Sequence, residues 1–151
     1  MFNEFLVSLR ANTDLYMKIP TGNNSEDLKQ RKDIISQLYR QWTNSNPAKR
    51  VFNPSLKGEV NIRFVSITET MRHAAKTYLS TLALFYLDTI LRNATIVGKP
   101  KPPKKGVANQ KPFKYLLETH CPLQGIGVVK MMVGVKRSGD MVLYCITVMD
   151  K

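Results

Sequence analysis

Apolar residues recur at helical spacing through the first third of the chain, and this pattern predicts two N-terminal helices. The first runs through residues 2–18 and ends at the turn-forming cluster 20–24. The second begins near Ser25, whose hydroxyl is placed to cap it, and ends before Pro47. Its buried stripe is predicted to consist of Leu28, Ile34, Ile35, Leu38 and Trp42.

The pattern changes after residue 46. Residues 47–59 are rich in Pro, Asn, Lys and Gly, and are predicted to form a linker. Apolar and polar residues then alternate over 60–65, which indicates a short strand. Ser66 and Glu69 fit a capping box, so a helix is predicted to begin at Ser66 and to reach about Lys76.

The second half of the chain changes from helix to strand. Residues 78–93 are apolar nearly all round, which predicts a buried helix at the centre of the core. Helices grouped before strands predict an α+β fold with an antiparallel sheet packed on one side. The predicted strands after this helix cover residues 95–97, 113–120, 127–137 and 141–149.

The charge of the chain narrows the choice of partner. There are 23 Lys and Arg against 11 Asp and Glu, which gives a net charge of +12. A field of this sign attracts polyanions, so nucleic acid is the first candidate, ahead of an anionic membrane surface and an acidic protein. A basic surface that serves only solubility is the alternative.

The cysteines, the N-terminus and the missing motifs indicate the cellular compartment and exclude some kinds of chemistry. Cys121 and Cys145 have no disulfide-framework or zinc spacing, and both are predicted to be reduced thiols. The N-terminus lacks a signal-peptide pattern and no apolar run is long enough to cross a bilayer, so a cytoplasmic protein without a membrane partner is expected. Phosphate-binding glycine motifs and zinc motifs are missing from the sequence, so no cofactor or metal is expected.

Residues 98–111 form the strongest local signal and are called the basic loop here. The segment contains three prolines and two glycines among five lysines, and it has no acidic residue. Proline prevents regular structure and keeps the chain extended, so the loop is predicted to follow a phosphate backbone. A solvated flexible loop is the alternative. Its lysines are Lys99, Lys101, Lys104, Lys105 and Lys111.

A second signal lies on the predicted strand 113–120. Phe113 is expected to pack on the helices, whereas Lys114, Glu118 and His120 are expected to share the opposite face, because strand side chains alternate. A carboxylate and an imidazole on one face suit general acid–base cleavage of RNA through its 2′-hydroxyl. An ordinary polar sheet face is the alternative. The next strand adds Lys130 and Lys136, either of which would stabilise a phosphorane.

A third signal lies on the helix that follows Ser66. His73 and Lys76 are three residues apart and therefore neighbours on the helix surface, with Arg72 beside them. These side chains suit contact with phosphate or proton transfer. A solvated helix face explains them equally well.

Residues 52–148 resemble a known group of proteins. The resemblance rests on Phe52-Asn53-Pro54, the short strand, the helix with His73, the phrase Leu91-Arg92-Asn93-Ala94-Thr95-Ile96, the basic loop and the closing hairpin. This order is similar to the barnase–EndoU–colicin–RelE-like nuclease superfamily, and most similar to versions found in large polyvalent proteins of phages and integrative elements.

The resemblance implies a two-helix, four-stranded antiparallel core of the barnase/RelE-like kind, with an open sheet face that binds RNA. The core would span residues 51–151, preceded by a helical extension over 1–50. Metal-independent endoribonuclease activity is implied for active members, with His73, Glu118, His120 and Lys130 as the candidates here. The last strand lacks a His, Arg or Lys.

Three hypotheses follow from these observations. The chain is an endoribonuclease-like toxin or effector of a mobile element, or an inactive relative that binds nucleic acid. The third hypothesis is a protein-interaction module whose N-terminal helices dock on a protein partner or on a second copy of the chain. An inhibitor protein is a further candidate partner.

Overall fold

Three helical segments pack against a curled sheet of six strands, and a 3₁₀ turn divides the third segment into two short helices. The computed structural model describes residues 19–149, so the predicted helix over residues 2–18 lies outside the described residues. The elements are α1 (Ser25–Ser45), β1 (Arg50–Asn53), β2 (Gly58–Asn61), α2 (Phe64–Ala74), α3 (Tyr78–Ala83), a 3₁₀ turn (Leu84–Tyr86), α4 (Leu87–Asn93), β3 (Thr95–Lys101), a second 3₁₀ turn (Ala108–Gln110), β4 (Phe113–Leu123), β5 (Gly127–Lys136) and β6 (Met141–Val148).

The sheet is mixed, with the strand order β1-β2-β6-β5-β4-β3. Strands β2 and β6 run parallel, and every other neighbouring pair is antiparallel. The α+β class is confirmed, but the prediction of a four-stranded antiparallel sheet is wrong. The two extra strands come from residues 50–61. The helices after β2 lead the chain to β3 at the far edge of the sheet, and β3 to β6 then run back antiparallel until β6 lies parallel to β2.

The predicted linker over residues 47–59 contains a β-hairpin instead. Lys49 and Lys57 adopt positive φ angles of 56° and 55°, which shape the bends beside β1 and β2. Asn53 is fully buried and donates hydrogen bonds of 2.9 Å to the carbonyls of Leu91 and Ala94. Residues that resemble linker composition therefore fix the hairpin to the end of α4.

Helix α2 begins earlier than the capping-box pattern predicts. Arg63 is its N-cap, and Phe64 begins the helix within the strand predicted over 60–65. Ser66 lies at the third helical position, where its hydroxyl accepts from the amide of Arg63 at 3.0 Å and donates to the carbonyl of Leu143. Ser66 therefore joins α2 to β6. Glu69 does not cap the helix and instead accepts hydrogen bonds from Arg72 and Asn109.

The predicted helix over residues 78–93 is interrupted by the first 3₁₀ turn. Its position in the core is confirmed, because Leu84, Ile90 and Leu91 are almost completely buried. No helix within residues 19–149 has the length and apolar character needed to cross a bilayer.

Helix α1 shares the main hydrophobic core with the sheet. Ile35 and Leu38 belong to the same buried cluster as Met131 and Ile146. The fully buried Arg31 donates from Nε to the carbonyl of Ala75 at 2.6 Å, which fixes α1 to the end of α2. The division of the chain into an extension over 1–50 and a core over 51–151 stays a prediction.

Candidate nucleic-acid interface

The sheet face opposite the main core carries a row of polar side chains. Strand register aligns His120 of β4 with Lys130 of β5, and aligns Lys130 with Thr147 of β6. Residues that pair across neighbouring strands point to the same face. The structure therefore brings His120 and Lys130 side by side, with Thr95 of β3 on the other flank of His120.

Glu118 is the centre of a hydrogen-bonded group on this face. Its Oε1 atom lies 2.5 Å from Nζ of Lys101, and its Oε2 atom lies 2.6 Å from Nε2 of His120. The Lys101 bond lowers the pKa of Glu118, burial opposes this effect, and the His120 bond lowers the pKa further. The net shift is downward, so the group is a carboxylate at neutral pH.

Lys101 reaches Glu118 because strand β3 extends into the basic loop. The prediction that residues 98–106 form neither helix nor sheet is wrong at its start, since β3 continues to Lys101. A 3₁₀ turn covers residues 108–110 of the basic loop. The register shifts between Val97 and Lys101, which accommodates Gly98 and Pro100. Because β3 is an edge strand, Pro100 is tolerated there.

A second polar group surrounds Glu69 on α2. This carboxylate is 3% exposed; its Oε2 atom lies 2.9 Å from Nη2 of Arg72 and 3.3 Å from Nε2 of His73. Asn109 donates to the Oε1 atom at 2.5 Å. Burial raises the pKa of Glu69, but the bonds from Arg72 and Asn109 outweigh it and the net shift is downward.

His73 has a different electrostatic environment from a free histidine. Burial lowers its pKa, the Arg72 charge lowers it further, and the Glu69 charge opposes both. The net shift is downward, so the neutral imidazole is favoured. The structure thus places His73 beside Glu69 and Arg72, on a different element from His120.

Residues 102–112, called the folded-back loop here, bend onto the sheet face. Gln110 is buried, lies 3.4 Å from the hydroxyl of Tyr144, and accepts from the amide of Lys104 at 2.7 Å. Together with Asn109, it anchors the loop beside a second hydrophobic cluster. That cluster consists of Phe113, Leu116, Val142, Tyr144 and Cys145, with Val65 and Met132 partly buried against it.

Phe113 belongs to this second cluster, on the same face of the sheet as Glu118 and His120, so the prediction that it lies on the opposite face from them is wrong. A register shift between Phe113 and Tyr115 reverses the alternation at the start of β4. The ring packs edge-on against Tyr144, with centroids 6.0 Å apart, and a Cβ added at Gly134 would lie 2.5 Å from it. One end of the sheet face is therefore closed, and the remainder forms the candidate groove.

The candidate groove has Glu118 on one side and the Glu69 group on the other. Register places Met132 opposite Glu118 and Cys145 opposite Met132, so Cys145 is about 10 Å from Glu118 across two strand spacings. Burial raises the pKa of Cys145 to about 12; the charge of Lys130 opposes the shift and that of Glu69 adds to it. Both polar groups thus border the same surface, with an unreactive thiol between them.

The lysines predicted to bind nucleic acid lie on strands β3 to β5, on the folded-back loop and after α2. Lys101 is paired with Glu118, whereas the others form no ion pair with any residue in the described part of the chain. The side chains of Lys130 and Lys136 are half-buried on β5. The exposed ones are Lys76 after α2, Lys99 on β3, Lys104, Lys105 and Lys111 on the folded-back loop, and Lys114 on β4.

Sequence reasoning missed the partners of His73. Glu69 was interpreted as a cap, although its spacing from Arg72 and His73 suits contact on a helix surface. Asn109 and Gln110 come from the folded-back loop, and nothing in their local sequence indicates a contact with α2 or β6. No group of three or more His, Cys, Asp or Glu within residues 19–149 is arranged to hold a metal ion.

Comparison with known proteins places the chain in a family. Residues 27–141 match the model of the family described as large polyvalent protein-associated domain 3. No curated protein and no solved structure matches the chain significantly. The expected link with large polyvalent proteins is confirmed, whereas the relation to the nuclease superfamily stays a prediction. Since the match covers most of the sequence and of the described fold, the chain belongs to the large polyvalent protein-associated domain 3 family.

Proposed function

We propose that this domain binds RNA across the candidate groove and cleaves it without a metal ion. The observation that carries the proposal is the alignment of Glu118, His120 and Lys130 on one sheet face beside unpaired lysines. A carboxylate, an imidazole and a cation at one place supply the three groups that RNA transesterification uses.

The binding part of the proposal rests on charge. Lysines without acidic partners lie on β3, on the folded-back loop and after α2, so the phosphates of a strand in the groove would meet positive charge on both sides. Binding should weaken steeply as salt rises, because each phosphate contact releases a counterion.

The cleavage part assigns one step to each group. The Glu118 carboxylate accepts the proton of a ribose 2′-hydroxyl, and the 2′-oxygen attacks the adjacent phosphorus. Protonated His120 donates to the departing 5′-oxygen, which leaves a 2′,3′-cyclic phosphate and a free 5′-hydroxyl. Lys130, opposite His120, stabilises the extra negative charge of the phosphorane.

The test is cleavage of labelled RNA by the whole chain in the presence of EDTA. The wild type should cut, and Glu118→Gln should cut about a hundredfold more slowly, because the amide cannot accept the proton. Lys130→Met should lower kcat, because Lys130 pairs opposite His120, whereas Lys136→Met, on the same strand but away from His120, should weaken binding and leave kcat unchanged. Equal cleavage rates for Glu118→Gln and the wild type would show that Glu118 is not the general base, and would contradict the proposed mechanism.

Binding without cleavage is the second candidate. Both carboxylate oxygens of Glu118 are already engaged, by Lys101 and by His120, and the lowered pKa of Glu118 makes it a weaker base. Salt-dependent RNA binding with no cyclic-phosphate product would favour this candidate. Binding that does not respond to salt would contradict both candidates and favour a protein partner.

A further inference from the structure

We propose that Phe64 is a stacking platform for an unpaired base, so that the domain takes single-stranded nucleic acid. This inference rests on the proposed RNA binding and specifies its substrate class. Phe64 is 80% exposed, although it begins helix α2 and is followed by Val65, which packs against the second hydrophobic cluster. The backbone is thus fixed at this position while the ring faces solvent.

Basic residues lie at the same end of the sheet as this ring. Val65 packs with the cluster that contains Phe113, and Phe113 pairs directly with Lys136 across β4 and β5. These contacts bring the start of α2 to the end of the sheet where the β5–β6 turn lies. The basic residues at this end are Arg63, Lys111, Lys114, Lys136 and Arg137.

The positive charge at the Phe64 end of the sheet indicates which kind of ligand would bind there. None of the five basic side chains forms an ion pair with a residue in 19–149. Asp140 is the nearby acid in the turn, and it accepts a hydrogen bond from Ser138 at 3.2 Å. An exposed aromatic ring among uncompensated cations suits a polyanion with flat rings, which describes a nucleic-acid strand.

The geometry relates Phe64 to the candidate groove. His120 and Phe113 pair with Lys130 and Lys136, which are six positions apart on β5, and this corresponds to about 20 Å along the strand. The folded-back loop lies along this path and exposes Lys104 and Lys105. A strand whose phosphate is held beside His120 therefore places a base a few nucleotides away near Phe64. Paired bases inside a duplex cannot offer a face to the ring.

The test compares two exposed phenylalanines by their effect on binding of a labelled single-stranded RNA. Phe64→Leu keeps the side chain apolar but removes the aromatic face, and we expect affinity to fall about fivefold or more. Phe52→Leu is the matched control, because Phe52 is 54% exposed on the edge strand β1, where it pairs opposite Glu59 of the Arg50–Glu59 ion pair. We expect it to bind as the wild type does.

A second variant reports stacking directly. Trp42 is buried, so Phe64→Trp adds an exposed fluorophore. Single-stranded RNA should quench its emission, and the same sequence as a duplex should quench it less. A matched Phe52→Trp variant should not respond to RNA.

The outcomes separate this inference from the proposed function. If the wild type binds RNA and Phe64→Leu binds equally well, the platform is wrong while the groove proposal stands. If the wild type does not bind RNA, the proposed function fails and the inference fails with it. Loss of self-association in Phe64→Leu, without loss of RNA affinity, would assign the ring to a second copy of the chain and overturn the inference.

Discussion

Two glutamate–histidine pairs border the candidate groove, and they differ in their surroundings. Glu69 and His73 are four residues apart on helix α2, whereas Glu118 and His120 are two residues apart on strand β4. The side chain of Glu69 is 3% exposed, and that of Glu118 is 14% exposed. Residue types are the same in the two pairs, and each spacing places both side chains on one face of its element. Residue type and spacing therefore do not decide which pair performs chemistry.

The partners of each pair separate their roles. Glu69 accepts from Arg72 on its own helix and from Asn109 on the folded-back loop, so it connects two parts of the fold. Glu118 accepts from Lys101, and its neighbour His120 pairs opposite Lys130 on the sheet face. We infer that the Glu69 pair holds the wall of the groove and that the Glu118 pair faces its occupant.

The largest expected difference between the pairs is in RNA cleavage. His120→Asn should lower kcat/KM by about 10²–10⁴, the usual contribution of a general acid. His73→Asn should lower it less than tenfold, because burial and Arg72 favour the neutral form of His73. Cleavage rates of both variants, measured with EDTA present, check this prediction. A larger loss in His73→Asn would reverse the assignment of the two pairs.

The second difference is in the free energy of unfolding. Glu69→Ala removes a buried acceptor and leaves the Asn109 amide and two basic side chains without their partner, at a cost of about 2–3 kcal/mol. Glu118→Ala should cost about 1 kcal/mol, because its partner Lys101 is 55% exposed and can turn to water. Urea unfolding midpoints measure both. Equal midpoints would show that Glu69 does not fix the wall.

The sequence predicted the strand-borne pair better than the helix-borne one, for a physical reason. Period-two alternation is a local property, so Glu118 and His120 could be assigned to one face of β4 from the sequence alone. The environment of His73 depends on Asn109, which is 40 residues from Glu69 along the chain. Such a contact exists only after the folded-back loop has packed, and its local composition gives no sign of it.

The fold, like the two pairs, was predictable where the pattern is local and not where it depends on distant contacts. The buried stripe of α1 and the strands β4 to β6 follow from hydrophobic periodicity. Periodicity could not give the hairpin of β1 and β2, because its strands are four residues long and its key residue, Asn53, is polar and buried. The shift at Phe113 was also hidden, since a bulge reverses the faces without changing the composition of the strand.

The smallest expected difference is in how stability depends on pH. The folded-state pKa of His73 lies below the ordinary histidine value of 6.5, because of burial and then of Arg72. The unfolded chain therefore binds more protons than the folded chain between the two values, and stability is lost as the pH falls below 6.5. The lowered pKa of Glu69 acts in a separate and more acidic window, below the ordinary value of 4.5.

His73→Asn should remove the part of the stability loss below pH 6.5 that comes from His73, and leave the loss below pH 4.5 that comes from Glu69 unchanged. The slope that it removes is at most that of one proton, about 1.4 kcal/mol per pH unit. Arg72→Gln should reduce the stability loss below pH 6.5 only in part, because it removes the second cause of the lowered His73 pKa and leaves burial unchanged. Unfolding midpoints measured between pH 4.5 and 7.5 test this. A wild-type slope that survives in His73→Asn would mean that another group titrates there, and the contrast between the two histidines would then rest on cleavage alone.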